Sequence, residues 1–169
     1  MKDDIYIREL DKGEYGSALD LVWKVFLEYE APDYSEQGTE EFKKSINDAD
    51  YLAMLRCYGA FIGGKLIGVI ATRNNANHVA LFFVDGKYHR QGIGRKLFEA
   101  AVNDNTSGEV TVNSSPYAVP VYHRLGFTDT ENEQITNGIR YTPMKITLNF
   151  KEKQSKAGHR RMHMHAPVF

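Results

Sequence analysis

Residues 79–101 constrain this chain more than any other segment. An apolar run, Val79 to Val84, enters a short polar turn, Asp85-Gly86-Lys87-Tyr88-His89-Arg90-Gln91, which ends in Gly92-Ile93-Gly94. A helical pattern starts at once, with Ile93, Leu97, Ala100 and Ala101 on one stripe and Lys96, Glu99 and Asn103 opposite. A strand, a glycine turn and a helix start in direct succession make an anion site. The first N–H groups of a helix have no intrahelical acceptor, and its dipole places partial positive charge there. Glycines let a phosphate approach the main chain without meeting a Cβ. Arg90, Arg95 and Lys96 add formal charge around the turn. The expected ligand is a phosphate or pyrophosphate.

Two familiar phosphate loops do not fit. A nucleotide-triphosphate loop needs G-x-x-x-x-G-K-[ST], and no glycine here is followed by Lys and then Ser or Thr. A dinucleotide fingerprint needs a third Gly or an Ala where this chain has Leu97. The segment instead resembles the acyl-CoA loop of the GNAT superfamily of N-acetyltransferases, Gln/Arg-x-x-Gly-x-Gly/Ala. It reads His89-Arg90-Gln91-Gly92-Ile93-Gly94, with His in place of the usual first residue. A second signature of that superfamily, Asn-x-x-Ala-x-x-x-Tyr-x-x-x-Gly-Phe, is matched downstream by Ser115, Ala118, Tyr122, Gly126 and Phe127. Ser115 stands where many relatives have Asn, and either side chain caps a helix. Pro120 lacks an N–H and is tolerated there only if the helix starts late or bends. The resemblance covers roughly residues 5 to 148.

The resemblance implies an acetyl-CoA-dependent N-acetyltransferase. It assigns cosubstrate contacts to Phe82, Phe83 and Val84 on a strand that splays at a bulge, to Arg90, Gln91, Gly92, Ile93, Gly94 and Arg95 in the turn, and to Ser115. A main-chain N–H aimed at the thioester oxygen contributes about 3 kcal/mol in sites of this kind. Tyr122 falls where relatives keep the general acid; a phenol of pKa near ~10 is protonated at neutral pH and can donate to a departing thiolate. The general base is open. Some relatives use a Glu on the strand before the second signature, where this chain has Val110 flanked by Glu109 on the opposite face. Asp85, His78, Glu30, Asp33 and a water relay are the other candidates. Two other readings are a non-catalytic acyl-CoA sensor of the same fold and a phosphoryl-transfer or nucleotide-binding protein. Tyr122 argues against the first, and the lack of a Ser or Thr after the loop and of a paired acidic ligand set argues against the second.

Hydrophobic periodicity gives the order β-α-α-β-β-β-α-β-α-β-β, an α/β (α+β) arrangement with a mostly antiparallel sheet and helices on both faces, the element order of the GNAT fold. Its parts include a helix striped by Ala18, Leu21, Val22, Val25, Phe26 and Tyr29, a weaker helix from about Thr39 to Asn47, and strands meeting at Gly63-Gly64. A final hairpin at Asn137-Gly138 would join strands 127–136 and 139–148. One domain over residues 1–149 is expected, followed by a basic tail, 150–169, with His159, His163 and His165; the tail is read as non-catalytic and no metal is expected.

Charge suits an anionic cosubstrate; the acidic N-terminal portion would suit a cationic acceptor such as an amine if it lines the cleft, and a solvated acidic surface explains the same charges. Residues 51–100 carry a net +5 and residues 1–50 a net −8, although the whole chain is only −1. The apolar runs are far short of a membrane span, and Met1-Lys2-Asp3-Asp4 does not read as a signal peptide. A single cysteine, Cys57, fits a reducing compartment and a packing role, so a cytoplasmic protein without nucleic-acid or membrane partners is expected. An edge strand near the C-terminus would suit a homodimer. The acceptor is not legible, because specificity in such folds lies in variable segments, here near 26–45 and 127–140.

Overall fold

The computed structural model describes residues 4–149, so the expectations for the tail lie outside the described residues. The chain runs β1 (Ile5–Glu9), α1 (Tyr15–Tyr29), α2 (Glu36–Ile46), α3 (Ala49–Ala53), β2 (Arg56–Ile62), β3 (Lys65–Arg73), β4 (His78–Val84), α4 (Ile93–Ala101), β5 (Glu109–Ser114), α5 (Val119–Leu125), β6 (Thr128–Asp129), β7 (Gln134–Thr136) and β8 (Ile139–Thr147). The strand path is β1-β2-β3-β4-β5-β8-β6, with β7 also on β8. All pairs are antiparallel except β4 with β5. Both glycine hairpins form through left-handed residues, Gly63 and Gly64 at φ 54° and 78°, Asn137 and Gly138 at 52° and 79°.

Helices cover both faces, as the periodicity predicts. On one face Ile93, Leu97, Phe98 and Ala101 of α4 and Tyr122 and Leu125 of α5 pack with Ile67, Ile70, Val110, Val112 and Ile146. On the other, Ala18, Val22, Val25 and Phe26 of α1 pack with Cys57, Val69, Leu81 and Phe83. Phe42 of α2 stacks on Phe26 with centroids 4.0 Å apart. Cys57 is buried, and desolvation pushes its thiol up to about 11, which suits packing rather than reactivity.

Three elements differ from the sequence expectation. Ser35 caps α2 by accepting the Gly38 N–H at 3.2 Å, so the helix starts before Thr39. Asp48 accepts from the N–H groups of Asp50 and Tyr51 and nucleates α3, a turn too short to show a period. The strand expected over 127–136 is two pieces, β6 and β7, pairing with different ends of β8. Consequently β8 is not an edge: Met144 and Lys145 pair with β5 on one side and β6 on the other, and the two-residue β6 ends the sheet. No helix among the described residues is long and apolar enough to cross a membrane.

Candidate active site

The site begins where β4 and β5 part. They pair in register only at His78 with Thr111 and Val79 with Val112. One residue further, β4 is irregular on its other side as well: Thr72 pairs with Val79 but Ala71 with Leu81, leaving Ala80 as an extra residue. Such a bulge bends a strand and increases its twist. From there to Val84 the main chain of β4 has no β5 partner in register, and the two strands bound a gap.

That gap continues into a cleft of about 710 Å³ lined by Phe82, Val84, Tyr88, His89, Arg90, Gly92, Ile93, Gly94, Tyr117, Ala118, Val121, Tyr122 and Arg124. Its size is ordinary for a small-molecule site. The glycine turn forms one wall. Arg90 and Gly92 are left-handed, at φ 63° and 79°, and Gly92 caps α4. The first bond of the helix ladder runs from Lys96 N–H to Gly92 C=O at 3.2 Å, so the N–H groups ahead of it lie outside the ladder. A Cβ built on Gly92 would meet nothing within 4 Å; the space beside the turn is open, as a ligand phosphate would need.

His89, the departure from the family pattern, has a local role. Its Nε2 lies 2.7 Å from the Val84 carbonyl, which can only accept, so Nε2 carries the proton and ties the turn to the strand end. Its ring lies 5.0 Å from that of Tyr29, whose ring is 5.1 Å from Tyr117. Asp85 shapes the same turn. Burial alone would raise its pKa, but hydrogen bonds from the Lys87 N–H at 3.0 Å and Lys24 Nζ at 3.3 Å hold it below the ordinary carboxylate value.

The opposite wall is α5 and the loop before it. Pro120 sits in the first turn, where no N–H is required, so the helix does start late. Gly126 ends it in the left-handed region at φ 105°, and the Phe127 N–H returns to the Tyr122 C=O at 2.9 Å. This return seats the Phe127 ring 5.2 Å from Tyr122, whose ring also meets Phe82 edge-on at 5.9 Å. Tyr122 is buried, and desolvation followed by the negative field of Glu30 raises its pKa above the usual phenol value. Its phenol stays protonated across the neutral range.

Of the residues named from sequence, Phe82, Val84, Arg90, Gly92, Ile93, Gly94 and Tyr122 line the cleft together. Phe83 alternates to the other face and packs toward Phe42, which leaves only its main chain for the gap. Gln91 and Arg95 belong to the turn with exposed side chains, and neither lines the cleft. Ser115 lies behind it: its Oγ accepts the Ala118 N–H at 3.2 Å and donates to Glu30 Oε1 at 2.9 Å. Sequence reasoning missed Tyr88, Tyr117, Val121 and Arg124. Ala118, Val121 and Arg124 recur three residues apart, as one helix face does, and that was the available signal for two of them.

Among the base candidates, Glu109 is exposed and 3.3 Å from Lys145 Nζ. His78 lies at the far end of β4 beside Thr111 Oγ1 at 2.7 Å, and burial with the nearby Arg73 charge lowers it to about 4. Val110 is core.

The family model of the acetyltransferase (GNAT) domain matches residues 30–148, and the chain belongs to that family. No curated protein matches the sequence significantly. The fold is similar to a GCN5-related N-acetyltransferase from Rhodopseudomonas palustris (19% identity, TM-score 0.73, covering 88% of this chain and 99% of that one). It is also similar to the PaiA N-acetyltransferase of Thermoplasma acidophilum in complex with coenzyme A (21%, TM-score 0.66, 85% and 99%). The ribosomal-protein-S18-alanine N-acetyltransferase of Escherichia coli is a third similar structure (17%, TM-score 0.55, 85% and 94%).

Proposed function

We propose that this acetyltransferase moves an acetyl group directly from the thioester of acetyl-CoA to an amine. The observation that carries the reading is the parting of β4 from β5 at Ala80, which opens beside a glycine turn and a buried, protonated Tyr122 in one cleft. The coenzyme A of the Thermoplasma complex supports the choice of cosubstrate. Acetyl-CoA supplies an activated acyl group; this chain's residues hold and orient it. The turn from Arg90 to Gly94 receives the pyrophosphate, with Arg90 and Arg124 supplying charge from the two walls. The side of β4 that β5 leaves open along Phe82, Phe83 and Val84 faces the pantetheine arm, and Tyr122 donates its proton to the departing sulfur.

The test is calorimetric binding of acetyl-CoA to a Gly94→Val variant. A Cβ at Gly94 meets only the Phe82 ring, at 3.4 Å, an ordinary contact, so the variant is expected to fold, which its melting temperature checks. Affinity is expected to fall at least tenfold, about 1.4 kcal/mol, because the added methyl groups occupy the space in front of the turn. Unchanged affinity in a folded variant would refute this placement. Binding should also weaken as salt rises, since exposed charges are screened over about 8–10 Å. Arg90→Ala should flatten that dependence, and salt-independent binding by the wild type would show these charges to be incidental.

A further inference from the structure

Glu30 is a half-buried carboxylate that the mechanism above does not use. It caps the C-terminal end of α1, just before the chain turns at Ala31-Pro32. Its carboxylate is held from 85 residues away by the Ser115 hydroxyl at 2.9 Å. Because that hydroxyl already accepts the Ala118 N–H, its proton is committed to Glu30. The loop that positions α5, and hence Tyr122, therefore also positions Glu30. Oε1 is pinned, whereas Oε2 takes no hydrogen bond from a described residue.

The cleft arginines Arg90 and Arg124 act on the neighbouring Tyr117, but no described cation forms an ion pair with the Glu30 carboxylate. Asp33 and Tyr34 follow Glu30 on its own segment, and Tyr117 and Tyr122 face it from the loop and α5. The cation on that side, Arg140 of β8, is engaged by Glu133 at 3.2 Å and by the Asp33 carbonyl at 3.0 Å. A carboxylate taken from water without a cation is costly, and the arrangement is relieved when an ammonium enters. The negative field of Glu30 acts on Tyr117 and Tyr122, both of which line the cleft, so Glu30 lies beside it, next to the tyrosine assigned as proton donor.

We propose that Glu30 is the general base, taking a proton from an acceptor that enters as an ammonium ion. The proposal rests on the acetyl-transfer reading and adds the charge class of the acceptor to it. Desolvation, opposed by the Ser115 hydrogen bond and aided by Asp33, raises the Glu30 carboxyl to about 7, where a base works best at neutral pH. The protons balance. Glu30 Oε2 takes one proton from the ammonium, and the freed lone pair forms the C–N bond to the acyl carbon. The C–S bond breaks with its electron pair going to sulfur, which takes the Tyr122 proton. A second proton leaves nitrogen and returns through solvent to the tyrosine. One proton is released, from Glu30 to water.

The test pairs primary alkylamines with their trifluoromethyl analogues, which arrive neutral at pH 7 because fluorine withdraws electron density. Glu30→Gln keeps an acceptor for Ser115, so melting temperature and acetyl-CoA affinity should match wild type. With alkylamines kcat/KM should fall about a hundredfold, and the rising limb of the pH profile near 7 should vanish. With the fluorinated amines the loss should be within a few-fold. An equal loss with both kinds of amine would reduce Glu30 to a structural role, and an unchanged profile would show it idle; either result overturns the proposal alone. Thiol release with no amine at all, in a protein that binds acetyl-CoA, would overturn the acetyl-transfer reading and this proposal together.

Discussion

Tyr122→Phe is expected to lower turnover by about 10²–10⁴-fold at neutral pH, the usual contribution of a positioned general acid. Acetyl-CoA affinity and melting temperature should hardly change. The ring keeps its edge contacts with Phe127 at 5.2 Å and Phe82 at 5.9 Å, and only the hydroxyl is lost. The pH profile gives a second readout. Burial raises the Tyr122 pKa, so the acid form persists to higher pH than an exposed tyrosine's, and no falling limb below about pH 10 belongs to it. Any falling limb in that range must survive in the Phe variant. Full turnover by Tyr122→Phe with the best amine would remove this residue from the mechanism and leave water to protonate the sulfur.

The parts of the site that were legible in the sequence are those built from local pattern. Gly92 and Gly94 before an apolar stripe, and Tyr122 four residues ahead of Gly126, specify helix ends whose geometry depends on near neighbours alone. Asn137-Gly138 and Gly63-Gly64 are legible for the same reason. What escaped depends on distant partners. The family resemblance implied a bulge on this strand, but its place at Ala80 arises from how β4 meets β3 and β5, and an apolar run carries no mark of an extra residue. The fate of Glu30 depends on Ser115, 85 positions along the chain. Its partial burial could not be inferred from an acidic segment whose other carboxylates mostly face solvent. The interior position of β8 follows from β6 and β7 returning to it, which a strand pattern over 127–136 does not encode.

Gly38→Ala carries the second large effect, and its sign is informative. Helix propensity alone predicts that alanine inside α2 stabilises the protein by about 0.8–1 kcal/mol. The structure predicts the opposite. A Cβ on Gly38 would fall far inside contact distance of the Gly138 carbonyl, a backbone atom in the β7–β8 turn that cannot swing aside. The hairpin would have to lift from the start of α2, at a cost of about 1–3 kcal/mol for overpacking of this kind. At roughly 2–4 °C per kcal/mol for a chain of this length, the melting temperature should drop by several degrees. Gly138→Ala meets the same interface from the other side, 2.5 Å from the Gly38 nitrogen, and adds the strain of a side chain at φ 79°. Once one variant has lifted the hairpin the second has little contact left to break, so the double variant should lose less than the two single losses combined. The displaced hairpin also carries Arg140, whose hydrogen bond to the Asp33 carbonyl at 3.0 Å steadies the segment after Glu30. Acceptor KM should therefore rise in Gly38→Ala while acetyl-CoA affinity, set by the glycine turn on α4, stays near wild type. A rise in melting temperature would show that the hairpin yields freely and that propensity governs this position.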